Sequence, residues 1–484
     1  MSRPECHFLT AVWGEWHVDT FLEANLPTLL TENNLPYLAR TMDARYFVST
    51  SVSDAPKFEV SDAFRRLRDL VDVTLDVHPD EDFGRAVETH MKIWLQAIDR
   101  AKQQNAFLCP FPADMVWADG SFRTVANLLA SGKKSVYAMF IRIVDETFRQ
   151  ELANRRRRLG EAAAVWQPRE LMAAIFRHIH PMHCAYLRDS DHFPFHPEYV
   201  FWPIKDEGLL MRSLATTVLV FDPMRHDVDD HYSVKKYGSP DEIAFIDDSD
   251  AICGASITPL EKDANWYLEK NVADLDEIGA WWIHFDGAAH AALASTNFRF
   301  HVADCTEHKW RRVERGADFF VLQALLARET IRIARALRGL GCSVAADLLS
   351  TAIFAARFRR YWRWRGPLTL FVPSDAAFPS TRSEIIGRLV QRGNERALRS
   401  FLLDHAVLGR LVEERDARVA GEAGLQTLAG SFLRVVRRGE RVYVNDHPVQ
   451  EHTRVGEASI CIIDSLLWPD ALIQRQSLAG DGVL

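Results

Sequence analysis

At 484 residues the chain is too long for one ordinary domain, and two or three are expected. A content of 48% hydrophobic and 26% charged residues excludes global disorder and allows large cores. The formal charge of −8 excludes a nucleic-acid binder that works through overall positive charge, so no nucleic-acid partner is expected.

The opening segment His7–Trp13 reads as a buried strand, followed by Gly14 and an amphipathic helix over His17–Leu30. Strands are predicted at Arg45–Thr50 and Val71–Val77, with a helix over Val60–Leu70 between them. A helix follows over Phe83–Gln104. Strand signals return at Ala106–Cys109 and Asp114–Ala118, then a helix at Phe122–Ser131 and a strand at Ser135–Ile143. Strands alternating with helices predict an α/β layer with a mostly parallel sheet, whose ligand sites lie outside the carboxyl ends of the strands. No G-x-G-x-x-G, G-x-x-x-x-G-K-[ST] or G-x-S-x-G stands at the matching positions, which argues against dinucleotide, P-loop and α/β-hydrolase readings.

The opening strand, the helix directly after it and the acid-bearing stretch Pro112–Ser121 (PADMVWADGS) about a hundred residues on resemble the nucleotide-sugar-binding half of a GT-A glycosyltransferase. That resemblance covers the first 250 to 300 residues. It implies a nucleotide-sugar donor, a glycan or protein acceptor and a divalent metal (Mn or Mg), because a hard cation bound by carboxylates stabilises a diphosphate leaving group. In this sequence the position of the family's D-x-D holds Asp119-Gly120, with Asp114 at the other end of the strand. Asp114 and Asp119 are therefore the expected cofactor-binding residues, and Asp119 the expected metal ligand. The bland reading of Asp119-Gly120 is a strand-end turn.

Further along, Arg155–Arg158 reads first as a solvated helix face and second as a contact for an anion. His178, His180, His183, Cys184, His192 and His196 form the densest polar cluster. Their spacing repeats no known zinc-ligand pattern, which leaves metal binding the least favoured of three readings; the others are a pocket lining with one His acting as base or phosphate donor, and hydrogen-bonded loop or core histidines. Strands are predicted at Leu214–Phe221 and Glu242–Ile246. The second runs into Asp248-Ser249-Asp250, a literal D-x-D. Asp248, Asp250 and His192 are the expected catalytic groups, one of them acting as base on an acceptor hydroxyl; ordinary turn chemistry explains the same aspartates. Trp281–Asp286 and Asn297–His301 alternate like strands, and by analogy with GT-A enzymes His284 is a second expected metal ligand. Asp227, Asp229, Asp230 and His231 add charge to the same region.

Gly316–Gly341 reads as a connecting helix, and Val344–Trp364 as the first helix of a further unit. Then come Leu368–Phe378 (LTLFVPSDAAF), Phe401–Val407 (FLLDHAV) and Ile460–Pro469 (ICIIDSLLWP). These resemble the first, central and last motifs of a fasciclin (FAS1) domain, which implies an α+β fold and a protein partner. Asp404 stands where that family usually has Tyr, ahead of the matching His405.

The expected architecture is thus α/β: an N-terminal GT-A-like mixed/parallel sheet with flanking helices over 1–315, a connecting helix over 316–341, a fasciclin-like α+β domain over 342–470, and a tail. The alternative is a non-catalytic scaffold with a degenerate transferase fold. The seven cysteines are scattered, with no C-x-x-C pair, and no signal-peptide pattern or bilayer-length apolar run is present, so reduced thiols, no transmembrane segment and a cytoplasmic location are expected.

Overall fold

The computed structural model describes residues 3–214, 217–225, 227–228, 234–236, 239–262, 265–285, 288–353, 368–378, 387, 391, 394–409, 424–456 and 458–467. Asp229, Asp230, His231, the part of the expected Val344–Trp364 helix from Phe354 on, and the tail lie outside them. The chain divides into two compact units, Met1–Ala273 with Phe285–Val321, and Asp274–His284 with Leu322–Leu484.

The first unit is built on a seven-stranded sheet. In chain order its strands are β1 (Glu5–Ala11), β2 (Asp43–Ser51), β3 (Asp72–His78), β4 (Phe107–Pro110), β5 (Ser135–Ala138), β6 (Thr217–Phe221) and β7 (Ile243–Ile246), and across the sheet they run β7-β5-β6-β4-β1-β2-β3. β1 pairs parallel with both β2 and β4, β2 pairs parallel with β3, and β6 alone runs antiparallel to its neighbours β4 and β5. The sheet is therefore mixed, as expected.

Side chains alternate across a strand, and β1 shows the consequence. Phe8 packs on one face with Phe21, Leu26, Tyr46, Phe58 and Phe64. Leu9 packs on the other with Phe47, Ile93, Trp94 and Ala97. Helices cover both faces, which is why β1 and β2 read as continuous apolar runs.

The single strand expected over Ser135–Ile143 is two. Ser135–Ala138 lies in the large sheet. Ile141–Val144 joins Gly254–Thr258 and Met115–Trp117 in a three-stranded sheet. A third sheet, Phe298–His301 with Gly208–Ser213 and Tyr199–Ile204, completes the unit.

Two expected elements need correction. Trp281-Trp282 is helical, not extended: the helix Leu275–Trp282 starts on Asp274, whose carboxylate accepts the N–H groups of Asp276 and Glu277 at 2.7 and 3.1 Å. The connecting helix begins earlier than 316, running Glu307–Gly339. Gly316 marks no boundary because it sits on an exposed turn with nothing near its missing Cβ, where a helix tolerates glycine at a cost of about 1 kcal/mol.

In the second unit Leu368–Pro373 pairs parallel with Ala458–Ile463 at the centre of a six-stranded sheet. Its other members are Ala406–Leu408, His447–Val455, Arg441–Val444 and Val435–Arg438. One face of the central pair (Leu368, Ile460, Ile462) packs with Leu337, Leu349 and Phe401. The other (Phe371, Cys461, Ile463) packs with Val407, Leu433 and Val444. The helix Ser343–Ile353 is held at its start by Asp375, which accepts the Val344 N–H at 2.9 Å.

Candidate functional site

β1 is the strand from which the sheet grows in both directions, to β2 on one side and β4 on the other. A crevice opens at such a switch point, beyond the carboxyl ends of the two strands. Here it is a cavity of about 170 Å³ lined by Ala11 at the end of β1, Pro110 at the end of β4 and Phe111–Asp114 after it, His17, and His90 and Trp94 from the helix Ala86–Gln104. It has room for several waters, so it is not a packing defect.

The local sequence builds this crevice. Gly14 turns the chain from β1 into the helix at Glu15 with φ 80° and ψ 143°, a conformation essentially reserved for glycine. Its N–H donates to Asp54 Oδ2 at 2.7 Å, and the same oxygen accepts the Ser51 hydroxyl at 2.7 Å, so the ends of β1 and β2 are pinned together. Helical backbone then continues through Leu29 with a π-helical stretch at Phe21–Asn25, from which Asn25 Nδ2 donates to the Pro112 carbonyl at 2.7 Å. After β4, the N–H of Phe111 donates to Leu9 O at 2.7 Å and the Thr10 hydroxyl to Phe111 O at 3.0 Å. These bonds deliver Asp114 to the cavity wall, where its Oδ2 accepts the Ser256 hydroxyl at 2.9 Å. His17 stands at the mouth. Loss of solvation holds its imidazole below the ordinary range; the Asp114 carboxylate raises it and Lys262 lowers it further.

The other expected site residues are engaged elsewhere. Asp119 accepts the Asn33 backbone N–H at 3.0 Å and the Asn33 amide at 2.7 Å, one with each carboxylate oxygen. Beside it, Asn34 Oδ1 accepts the N–H groups of Gly120 and Phe122, both at 3.1 Å, and so caps the helix Ser121–Ala130. Asp119-Gly120 is thus built as a strand-end turn. Asp250 is held by Arg169 at 2.9 Å, and Asp248 accepts the Asp250 N–H at 2.8 Å with His301 at 3.5 Å. This is turn and ion-pair chemistry. His192 lies against Glu269 O at 3.2 Å, and His284, in the second unit, against Trp281 O at 2.8 Å.

Of the histidine cluster, His180 and His183 are core, whereas His178 and His192 are half-buried and His196 is exposed. His180 and His183 are buried and accept the Met182 and Arg142 N–H groups, both at 3.2 Å. Arg155 is also interior: it pairs with Glu170, donates to Val165 O at 2.7 Å and lies 3.9 Å over the Trp166 ring. The solvated face therefore begins at Arg156.

Sequence reasoning missed His17 and His90. Each is a lone histidine on a helix, and the only signal was position: His17 comes three residues after the glycine that ends the opening strand.

Among the described residues no three His, Cys, Asp or Glu side chains gather closely enough to hold one ion. A hard divalent cation takes several oxygens, and the described lining of the crevice offers one carboxylate, that of Asp114. These residues do not fit a resident metal centre.

The second unit has its own polar focus. His405 donates from Nδ1 to Phe401 O at 2.8 Å and accepts the Leu467 N–H at Nε2 at 3.1 Å, tying the end of the helix Glu395–Asp404 to the segment after the last strand. Asp404 accepts the Ser431 hydroxyl at 2.6 Å. The family model of the fasciclin domain matches residues 341–469. Those residues are a fasciclin domain. Its first and last motifs are the two strands paired at the centre of the sheet, and its central histidine is the clamp. Transforming growth factor-beta-induced protein ig-h3 of Sus scrofa is 32% identical over 137 residues, which are 28% of this chain. The chain spans only 19% of the length of that relative. A mannosyltransferase of Pyrobaculum calidifontis, solved in complex with GDP-Man and Mn2+, aligns over 75% of this chain and 84% of its own, at 12% identity and a TM-score of 0.24. Fasciclin domains mediate protein interactions. Among the described residues no helix is long and apolar enough to cross a membrane, and the seven cysteines, all described, form no disulfide.

Proposed function

We propose that the first unit is a GT-A-like module that binds a nucleotide-sugar in the crevice between β1 and β4 and transfers the sugar to a glycan or protein acceptor, while the fasciclin domain holds a protein partner. The observation that carries this reading is the cavity at the strand switch point, with Asp114, His17 and His90 on an otherwise apolar lining. Leu9, Trp94 and Phe111 supply a dry surface for a base or sugar ring. Asp114, oriented by Ser256, is an acceptor for a ligand hydroxyl. The imidazoles are donors for phosphate oxygens.

A second reading, a binding scaffold without catalysis, is favoured by one fact: Asp119, Asp248 and Asp250 are all committed to structural partners. A thermal-shift series on the full chain with UDP and GDP, repeated on Asp114→Asn, tests the site. Stabilisation by one nucleotide that weakens in Asp114→Asn is the expected result, and release of that nucleotide from its sugar conjugate then separates enzyme from scaffold. No stabilisation by either nucleotide removes the transferase reading.

A further inference from the structure

A diphosphate is strongly anionic, and its charge must be met by cations or hydrogen-bond donors when it leaves water. Among the described residues that line the crevice the one carboxylate is Asp114, and one of its oxygens already accepts the Ser256 hydroxyl at 2.9 Å. The aspartates that could have joined it around a metal are bound by Asn33 and Arg169. The crevice has basic groups instead. His17 and His90 both line the cavity. Among the described lining residues, one acid beside two imidazoles is a donor set for an anion rather than for a hard cation.

We propose that this crevice takes the phosphates of its nucleotide without a resident divalent cation, His17 and His90 donating their ring N–H groups to phosphate oxygens and Asp114 accepting from a ligand hydroxyl. The inference rests on nucleotide binding at the switch point. It also sets apart the roles of the two charged types: the imidazoles read the diphosphate, whereas Asp114 reads a neutral part of the ligand.

The test is calorimetric titration of the full chain with UDP and with GDP, once in EDTA and once in Mn2+, on wild type, His17→Ala, His90→Gln and Asp114→Asn. His17 is exposed on its helix, so His17→Ala keeps the fold, and circular dichroism melts check each variant. Expected are equal affinities in EDTA and Mn2+, and a loss of about tenfold or more in His17→Ala or His90→Gln, the scale of a hydrogen bond to a charged group. Nucleotide binding that appears only with Mn2+, or tightens about tenfold with it, overturns the proposal and leaves the nucleotide site standing. Binding in EDTA that neither histidine variant weakens overturns it as well. Absence of binding under both conditions overturns the nucleotide site and the proposal together.

Discussion

Acidifying the solution from pH 7.5 to 4 should weaken the fasciclin domain through His405. The ring is fully enclosed and works as a neutral clamp, donating at Nδ1 to Phe401 and accepting at Nε2 from Leu467. Burial pushes its pKa from the ordinary 6.5 down to about 4, the bond to Phe401 offsetting part of the effect. Because the folded value lies below the unfolded one, the unfolded chain takes up the proton first. The contribution to stability is complete above pH 6.5 and is lost as pH falls toward 4. At about 1.4 kcal/mol for each pH step crossed, the loss is about 3 kcal/mol, or roughly 10 °C in the melting temperature of a domain this size. The physical event is the loss of an acceptor: an imidazolium cannot take the Leu467 N–H. Scanning calorimetry of the full chain at pH 7.5, 6, 5 and 4 reads the transition. His405→Gln carries no titrating ring, so its melting temperature is lower at pH 7.5 and falls less steeply with acid. A fasciclin transition that does not move between pH 7.5 and 4, or a wild-type slope retained in His405→Gln, refutes the clamp.

Asp404, next to it, has the opposite sign. Burial raises its carboxyl pKa despite the Ser431 and Thr427 hydroxyls, so its ionised form at neutral pH costs stability, and Asp404→Asn should raise the melting temperature of that transition at pH 7.5 while leaving it unchanged in acid. Asp119→Ala removes both Asn33 bonds and should cost about 2 kcal/mol in urea unfolding, with no change in nucleotide affinity; a selective loss of affinity would return Asp119 to the ligand site. Gly14→Ala meets no atom within 4 Å, so its cost is the backbone alone, about 1–3 kcal/mol, and should appear as a lower urea midpoint.

What was legible in the sequence was what depends on local pattern. The apolar runs of β1, β2 and Leu368–Pro373 announce buried strands because both of their faces are covered. The fasciclin motifs were legible because their strands sit side by side in the core, where residue choice is constrained. Less legible were elements whose conformation depends on distant partners. Trp281-Trp282 alternates like a strand, but Asp274 starts a helix there and Gly279 leaves space for it: a Cβ at Gly279 would meet Ala327 at 2.7 Å. Ser135–Ile143 reads as one strand because its two halves are equally apolar, and only the third dimension assigns them to different sheets.

The site illustrates the same division more sharply. Asp248-Ser249-Asp250 has the letters of a cation site, but a carboxylate's role is set by what reaches it first. Arg169 reaches Asp250 and the backbone of Asp250 itself reaches Asp248, so both acids are spent on the turn that carries them. Asp114 carries no such motif. It gains the crevice because β4 lies beside β1 on the far side from β2, so the chain leaving β4 must pass the gap where the sheet changes direction. The same topology explains why His17 and His90 escaped notice: they come from two helices more than seventy residues apart in sequence, and they line one cavity because one helix leaves β1 and the other leads into β4. In this unit the order of strands determines where a ligand can be met, and residue identity determines only what it is met with. An anion-binding pair of histidines is therefore a stronger expectation for the crevice than the D-x-D is for the turn.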